Sequence, residues 1–193
     1  IKEVTDYIRK KGMVPGVWLE LEVMGINCEK AKKAPDDWFF VRHGKRVYDR
    51  SRYQLDFRNP AVIEHVNEVI DRVVKEYGVG YIKMDYNIEP GIGTEIGAES
   101  VGQGLLEHEK AYLNWLDGVF ARYPDLVIEN CSSGGLRMDY ALLSRYSIQS
   151  TSDQEDYRNF ATIAANSPAG VTPEQAAIWS YPMRQGDKEE VIY

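Results

Sequence analysis

The sequence predicts an α/β protein, a (β/α)8 barrel of the TIM type that is only partly present in this chain. Three observations predict it. Short β-branched and aromatic runs alternate with amphipathic stretches, the pattern of parallel β/α units. Polar residues then follow strand after strand at the same end: Glu20 and Glu22, Asp85 and Asn87, Asn130 to Ser133, Ser152 and Asp153. A barrel builds its site at its C-terminal mouth in this way. Finally, no GxGxxG follows a strand and no GxxxxGK precedes Ser or Thr, so a nucleotide-binding doubly wound sheet lacks support. A whole barrel takes roughly 250 residues, and fewer than its eight strands are readable in these 193.

The first residues read as a helix tail ending at Lys10 to Gly12, and MVPGVWLELEV as a buried strand. The polar stretch from Asn27 to Ser51 is too long for a plain connection and predicts a functional loop or an inserted substructure. Asn59-Pro60 opens a helix whose Val62, Val66, Val69, Ile70, Val73, Val74 and Tyr77 recur at three- and four-residue steps, closed by Gly78. YIKMD is then a strand, followed by a glycine-rich loop to Gly104 and an amphipathic helix from about Leu105 to Tyr123, stopped before Pro124. LVIEN is a strand, CSSGGLRMD a loop, Tyr140 to Ser144 a short helix and YSIQST a strand. The remainder reads as loop and helix, with Thr172 as N-cap and Pro173 as the first helical residue.

Composition narrows the function. With 44% apolar and 27% charged residues the chain is that of a globular protein, able to bury roughly 70% of its surface without a disulfide or metal staple. There are 23 Lys and Arg against 30 Asp and Glu, a net charge of −7, so no broad basic field exists to hold nucleic acid. No apolar run is long enough to span a membrane. Two distant cysteines suggest a reducing compartment, and a cytoplasmic location is the expectation. The chain starts with Ile1 in mid-helix, so the natural N-terminus is expected upstream. The histidines His43, His65 and His108 have no metal-ligand spacing, and neither a metal nor another cofactor is expected.

In YIKMDYN, alternation places Lys83, Asp85 and Asn87 on one face and Ile82, Met84 and Tyr86 on the other. A charged pair inside a strand is either a structural ion pair or a catalytic one in which Lys83 holds Asp85 ionised as a nucleophile. In STSDQEDYR, Asp153, Glu155 and Asp156 lie beside Arg158. Such a cluster supplies either a general acid, through like-charge repulsion, or a helix N-cap at Ser152 or Asp153. Asp85 and Asp153, about two β/α units apart, suggest a two-carboxylate site across a barrel mouth. The small residues of CSSGGLRMD let backbone approach a ligand or form an ordinary turn, and without a nearby His, Cys131 is a contact rather than a nucleophile. Trp18, Trp38 and Tyr86 are either sugar-stacking rings or core.

Together these segments resemble the catalytic barrel of glycoside hydrolase family 36, the bacterial α-galactosidases. GVWLELE is similar to the family's Trp-x-Glu-Pro-Glu strand, with Leu21 at the proline. PDDWF resembles its Pro-Asp-Trp, and RYQLDFRNP its Gly-Arg-Asn-Gln segment followed by Leu-Asp. YIKMDYN resembles its Lys-Trp-Asp-x-Asn nucleophile motif, with Met84 at the tryptophan. NCSSGGLRMD, TSDQED and PEQAAIWSYP complete the pattern in family order.

The resemblance implies Asp85 as nucleophile and Asp153 as general acid/base, with Asp156 as the nearest rival for the acid role. It implies Trp18, Arg52, Lys83, Asn87 and Cys131 as contacts to the sugar. The implied activity is retaining hydrolysis of terminal α-D-galactosyl residues from melibiose- or raffinose-type oligosaccharides, with carboxyl groups about 5 to 5.5 Å apart. Alternatives are a galactosyltransferase of the raffinose or stachyose synthase type, an α-N-acetylgalactosaminidase, and a non-catalytic sugar-binding barrel. The resemblance also places an N-terminal β-domain and the first and last barrel strands outside residues 1–193. The isolated chain is therefore expected to be poorly active or inactive, and the full-length protein is open to homo-oligomer formation.

Overall fold

The computed structural model describes residues 1–179. The chain divides into two compact units, Ile1–Leu126 and Val127–Tyr193.

The first unit opens with α1 (Lys2–Lys10), on which Asp6 pairs with Lys2 and Arg9 one turn away on either side. Strand β1 (Gly16–Leu19) is shorter than the apolar run suggested. The chain leaves the strand at Glu20, and β2 (Val23–Gly25) joins a different sheet. The long polar stretch is a substructure: α2 (Glu29–Lys33), a 3-10 turn at Asp36–Trp38, and strands β3 (Val41–Arg42), β4 (Lys45–Arg46), β5 (Tyr48–Asp49) and β6 (Arg52–Gln54). Strands β3 and β4 form a hairpin, and β2, β6 and β5 an antiparallel three-stranded sheet.

Helix α3 (Pro60–Asp71) starts as its sequence dictates, with Asn59 Oδ1 accepting the Ala61 N–H and Pro60 in the first turn. Its Val62, Val66 and Ile70 stripe is buried. The helix widens into a π turn over Arg72–Glu76 and stops at Gly78, whose φ of +65° reverses the chain without a Cβ penalty. Strand β7 (Tyr81–Met84) follows and pairs in parallel with β1, Trp18 opposite Lys83 and Leu19 opposite Met84. Helix α4 (Val101–Arg122) begins a turn earlier than its apolar pattern indicated, because Ser100 Oγ accepts the Gln103 N–H inside the glycine-rich stretch. Its buried Tyr112, Trp115, Leu116 and Val119 complete a core with Phe39, Phe40, Leu55, Phe57 and Ile82. His108 belongs to that core, its Nδ1 accepting the Phe57 N–H at 3.0 Å and its ring edge-on to Phe40.

The second unit holds the parallel strands β8 (Val127–Asn130), β9 (Ile148–Ser150) and β10 (Ala176–Ala177), ordered β8-β9-β10. Between them lie α5 (Tyr140–Leu143) and α6 (Tyr157–Asn166). The helix expected from Thr172 is instead a turn into β10, with Gln175 and Ala176 both bonded back to the Thr172 carbonyl. Ser180 to Pro182 of that motif lie outside the described residues. Both cysteines are free. Among the described residues no helix is long and apolar enough to cross a membrane, and no group of three or more His, Cys, Asp or Glu could hold a metal ion.

Candidate active site

In the first unit the site grows from the β1–β7 register. Because Trp18 lies opposite Lys83, strand alternation puts Trp18 and Glu20 on the same face as Lys83, Asp85 and Asn87. The Asp85 N–H bonds to the Leu19 carbonyl at 2.8 Å, extending the ladder to the carboxylate itself. On the opposite face Ile82 and Met84 are buried. Met84 is thus a core residue, as is the buried Leu21, so both departures from the family pattern fall in packing.

Asp85 is buried, and each of its oxygens has a donor: Trp18 Nε1 to Oδ2 at 2.9 Å and the Tyr86 N–H to Oδ1 at 2.9 Å. Two donors on opposite oxygens fix the plane of the carboxylate. Trp18 itself is 50% exposed, leaving much of its ring surface open. Tyr86, weighed as a stacking ring, is instead buried, its hydroxyl donating to Gln54 Oε1 at 2.6 Å. Trp38 serves as scaffold: its carbonyl accepts the Asp56 N–H at 2.8 Å and its ring packs on His65.

Arg52 opens β6 in the small antiparallel sheet and reaches Glu20, Nε to Oε2 at 2.6 Å. Glu20 Oε1 in turn accepts from Asn87 Nδ2 at 3.0 Å. One carboxylate therefore joins two of the side chains implied as sugar contacts. Sequence reasoning placed Glu20 at the strand end without giving it a role; its two-residue offset from Trp18 was the available signal.

The loop following β7 is held by polar bonds throughout. Arg42 donates to the Pro90 and Gly93 carbonyls, Glu95 accepts the His43 and Gly44 N–H groups, and Arg58 donates to the Ile96 carbonyl. Arg58 also forks onto Asp56 at 2.6 to 3.1 Å. Burial pushes the Asp56 carboxyl up, but His108 and Arg58 outweigh it and hold it below the usual carboxylate range. Of the two, His108 Nδ1 is 3.8 Å away and already accepts from Phe57, so Arg58 is the working partner.

The second unit carries Cys131, buried directly after β8, and Asp153, exposed after β9. The glycines of CSSGGLRMD have a structural use. Gly134 has a φ of +85° and bridges to Ser152; a Cβ there would lie 2.6 Å from Ser152 Cα and 2.7 Å from Asp153 N. The close approach is thus of one loop backbone to the segment that bears Asp153. In the acidic cluster, the helix cap is Asp156, not Ser152 or Asp153: its Oδ1 accepts the Arg158 N–H at 2.9 Å at the start of α6. Hydrogen bonds from the Arg158 side chain and backbone hold the Asp156 carboxyl below its usual range. Asp153 has no such partner among the described residues.

Acids, an arginine and an open indole at the ends of parallel strands are the arrangement that a β/α barrel presents at its C-terminal mouth. The melibiase family model matches residues 1–176. This chain belongs to the melibiase family. Curated relatives include α-galactosidase AgaA of Geobacillus stearothermophilus, 29% identical over 154 residues, 77% of this chain and 21% of that protein. Another is α-galactosidase 2 of Pediococcus pentosaceus, 30% identical over 157 residues, 77% of this chain and 21% of that protein. The chain therefore spans about a fifth of the length of these relatives. The crystal structure of glycoside hydrolase family 36 α-galactosidase AgaA matches 98% of this chain and 28% of its own, with TM-score 0.85 at 22% identity. An α-galactosidase from Lactobacillus brevis matches 97% and 25%, with TM-score 0.84 at 20% identity. These likenesses show the fold: a partial (β/α)8 barrel.

Proposed function

We propose that this chain carries the sugar-cleaving site of a retaining α-galactosidase, with Asp85 as nucleophile and Asp153 as general acid/base. The observation that carries the reading is Asp85 at the end of a parallel strand, its two oxygens held by Trp18 and Tyr86. A nucleophile must meet the anomeric carbon in a fixed orientation, and donors that fix the carboxylate plane provide it. Asp85 attacks the anomeric carbon as Asp153 protonates the glycosidic oxygen; Asp153 then takes a proton from water, which displaces Asp85. The capping role and Arg158 pairing of Asp156 support Asp153 over Asp156 as the proton donor. Arg52, Lys83, Asn87 and Cys131 are the polar contacts to the sugar, and Trp18 is a wall.

Raffinose-type oligosaccharides are the proposed substrates. The reading draws on family membership and on AgaA, doubly substituted variants of which have been crystallised in complex with raffinose and with stachyose. The test is turnover of aryl α-galactoside by the complete gene product, compared with the α-N-acetylgalactosaminide and α-glucoside. Proton NMR of the first-formed galactose should show the α-anomer, and the β-anomer first would refute retention. A product that shifts to oligosaccharide when an acceptor sugar is added would favour the transferase instead.

A further inference from the structure

We propose that Glu20 is a positioning residue that sets the donor geometry of Arg52 and Asn87 together. The proposal rests on reading those two residues as sugar contacts. Its basis is that one carboxylate, only 9% exposed, binds both: Oε2 takes Arg52 Nε at 2.6 Å and Oε1 takes Asn87 Nδ2 at 3.0 Å. The three residues come from separately built segments, the end of β1, the start of β6 and the run beyond β7.

A carboxylate is an acceptor only. Asn87 must therefore turn its NH2 to Glu20 and its carbonyl oxygen away, which fixes the hydrogen-bond polarity that the amide offers a ligand. Glutamine at position 20 could pair with either orientation and would release that choice. Arg52 is constrained in the same way. Glu20 occupies Nε and the Arg50 carbonyl occupies Nη1 at 3.1 Å, while Nη2 has no partner among the described residues. The guanidinium is thus held at two points, Nε and Nη1, and the Nη2 amino group is left for a hydroxyl acceptor.

The test measures KM, kcat and the inhibition constant of galactose for the complete gene product and its Glu20→Gln variant on an aryl α-galactoside. The expected result is a rise of about tenfold or more in both KM and the galactose constant, with a smaller change in kcat. In an Arg52→Lys/Asn87→Ala background the same substitution should cost less than about threefold, because its effect passes through those side chains. Glu20→Asp keeps the charge, shortens the reach, and carries the same comparison if Glu20→Gln does not fold. A variant within about twofold of an active wild type, or an equal loss in both backgrounds, overturns the proposal and leaves the proposed activity standing. A wild-type protein without turnover refutes the reading of the site and this proposal with it.

Discussion

The indole of Trp18 donates to Asp85 Oδ2 at 2.9 Å across two parallel strands. A half-exposed aromatic ring, the natural wall of a sugar subsite, is thereby also a support for the proposed nucleophile.

Trp18→Phe separates the two roles, since it keeps a ring and deletes the N–H. It should lower kcat/KM by about 10- to 100-fold. Because the lost N–H serves the buried Asp85 carboxylate, stability should also fall by about 1 to 3 kcal/mol. Steady-state kinetics together with urea unfolding of the same sample check both.

Gly134→Ala should destabilise by about 1 to 3 kcal/mol, from the left-handed backbone alone. The added Cβ would also press on Ser152 and the Asp153 N–H, so kcat should fall along with stability. Thermal unfolding and turnover measured on one preparation show whether the two losses occur together.

Acid should weaken the fold through Asp56. Its folded carboxyl lies below the ordinary value of 3.8, so its contribution is present in full above that pH and fades as pH falls through the folded value. Asp56→Asn removes the charged fork from Arg58, which keeps Glu107 at 3.5 Å, and should cost about 1 to 3 kcal/mol at neutral pH. Urea unfolding of both proteins at neutral and acid pH should show the gap between them narrowing as pH falls.

Much of this architecture was legible because local chemistry and tertiary packing agree. Asn59, Pro60 and the stripe of Val62, Val66 and Ile70 cap and bury α3 as read. The apolar run through β1 was read as one strand, yet the chain turns at Glu20; Glu22 then accepts the Leu55 N–H from a distant segment, and no local pattern encodes that. A helix capped at Ser152 or Asp153 is one reading of the acidic cluster; α6 does form there, but its cap is Asp156, and with only Phe160 buried its apolar pattern is too weak to fix the start. In the site, alternation grouped Lys83, Asp85 and Asn87, whereas the link from Glu20 to Arg52 spans an irregular substructure and is visible only in three dimensions.

Met84→Trp would restore the tryptophan of the family pattern at a position that faces the core, 2% exposed. Overpacking should cost about 1 to 3 kcal/mol. The ratio of α-galactoside to α-glucoside turnover should stay within about twofold of wild type, since the side chain lies on the face away from Asp85. A marked change in sugar preference would place Met84 in the subsite.

Azide rescue of Asp85→Gly tests the central claim most directly. The variant should lose turnover of an aryl α-galactoside, and added azide should restore it with β-galactosyl azide as the product, because azide attacks from the face that Asp85 vacates. Turnover that survives Asp85→Gly without azide would contradict the assignment of Asp85 as the nucleophile.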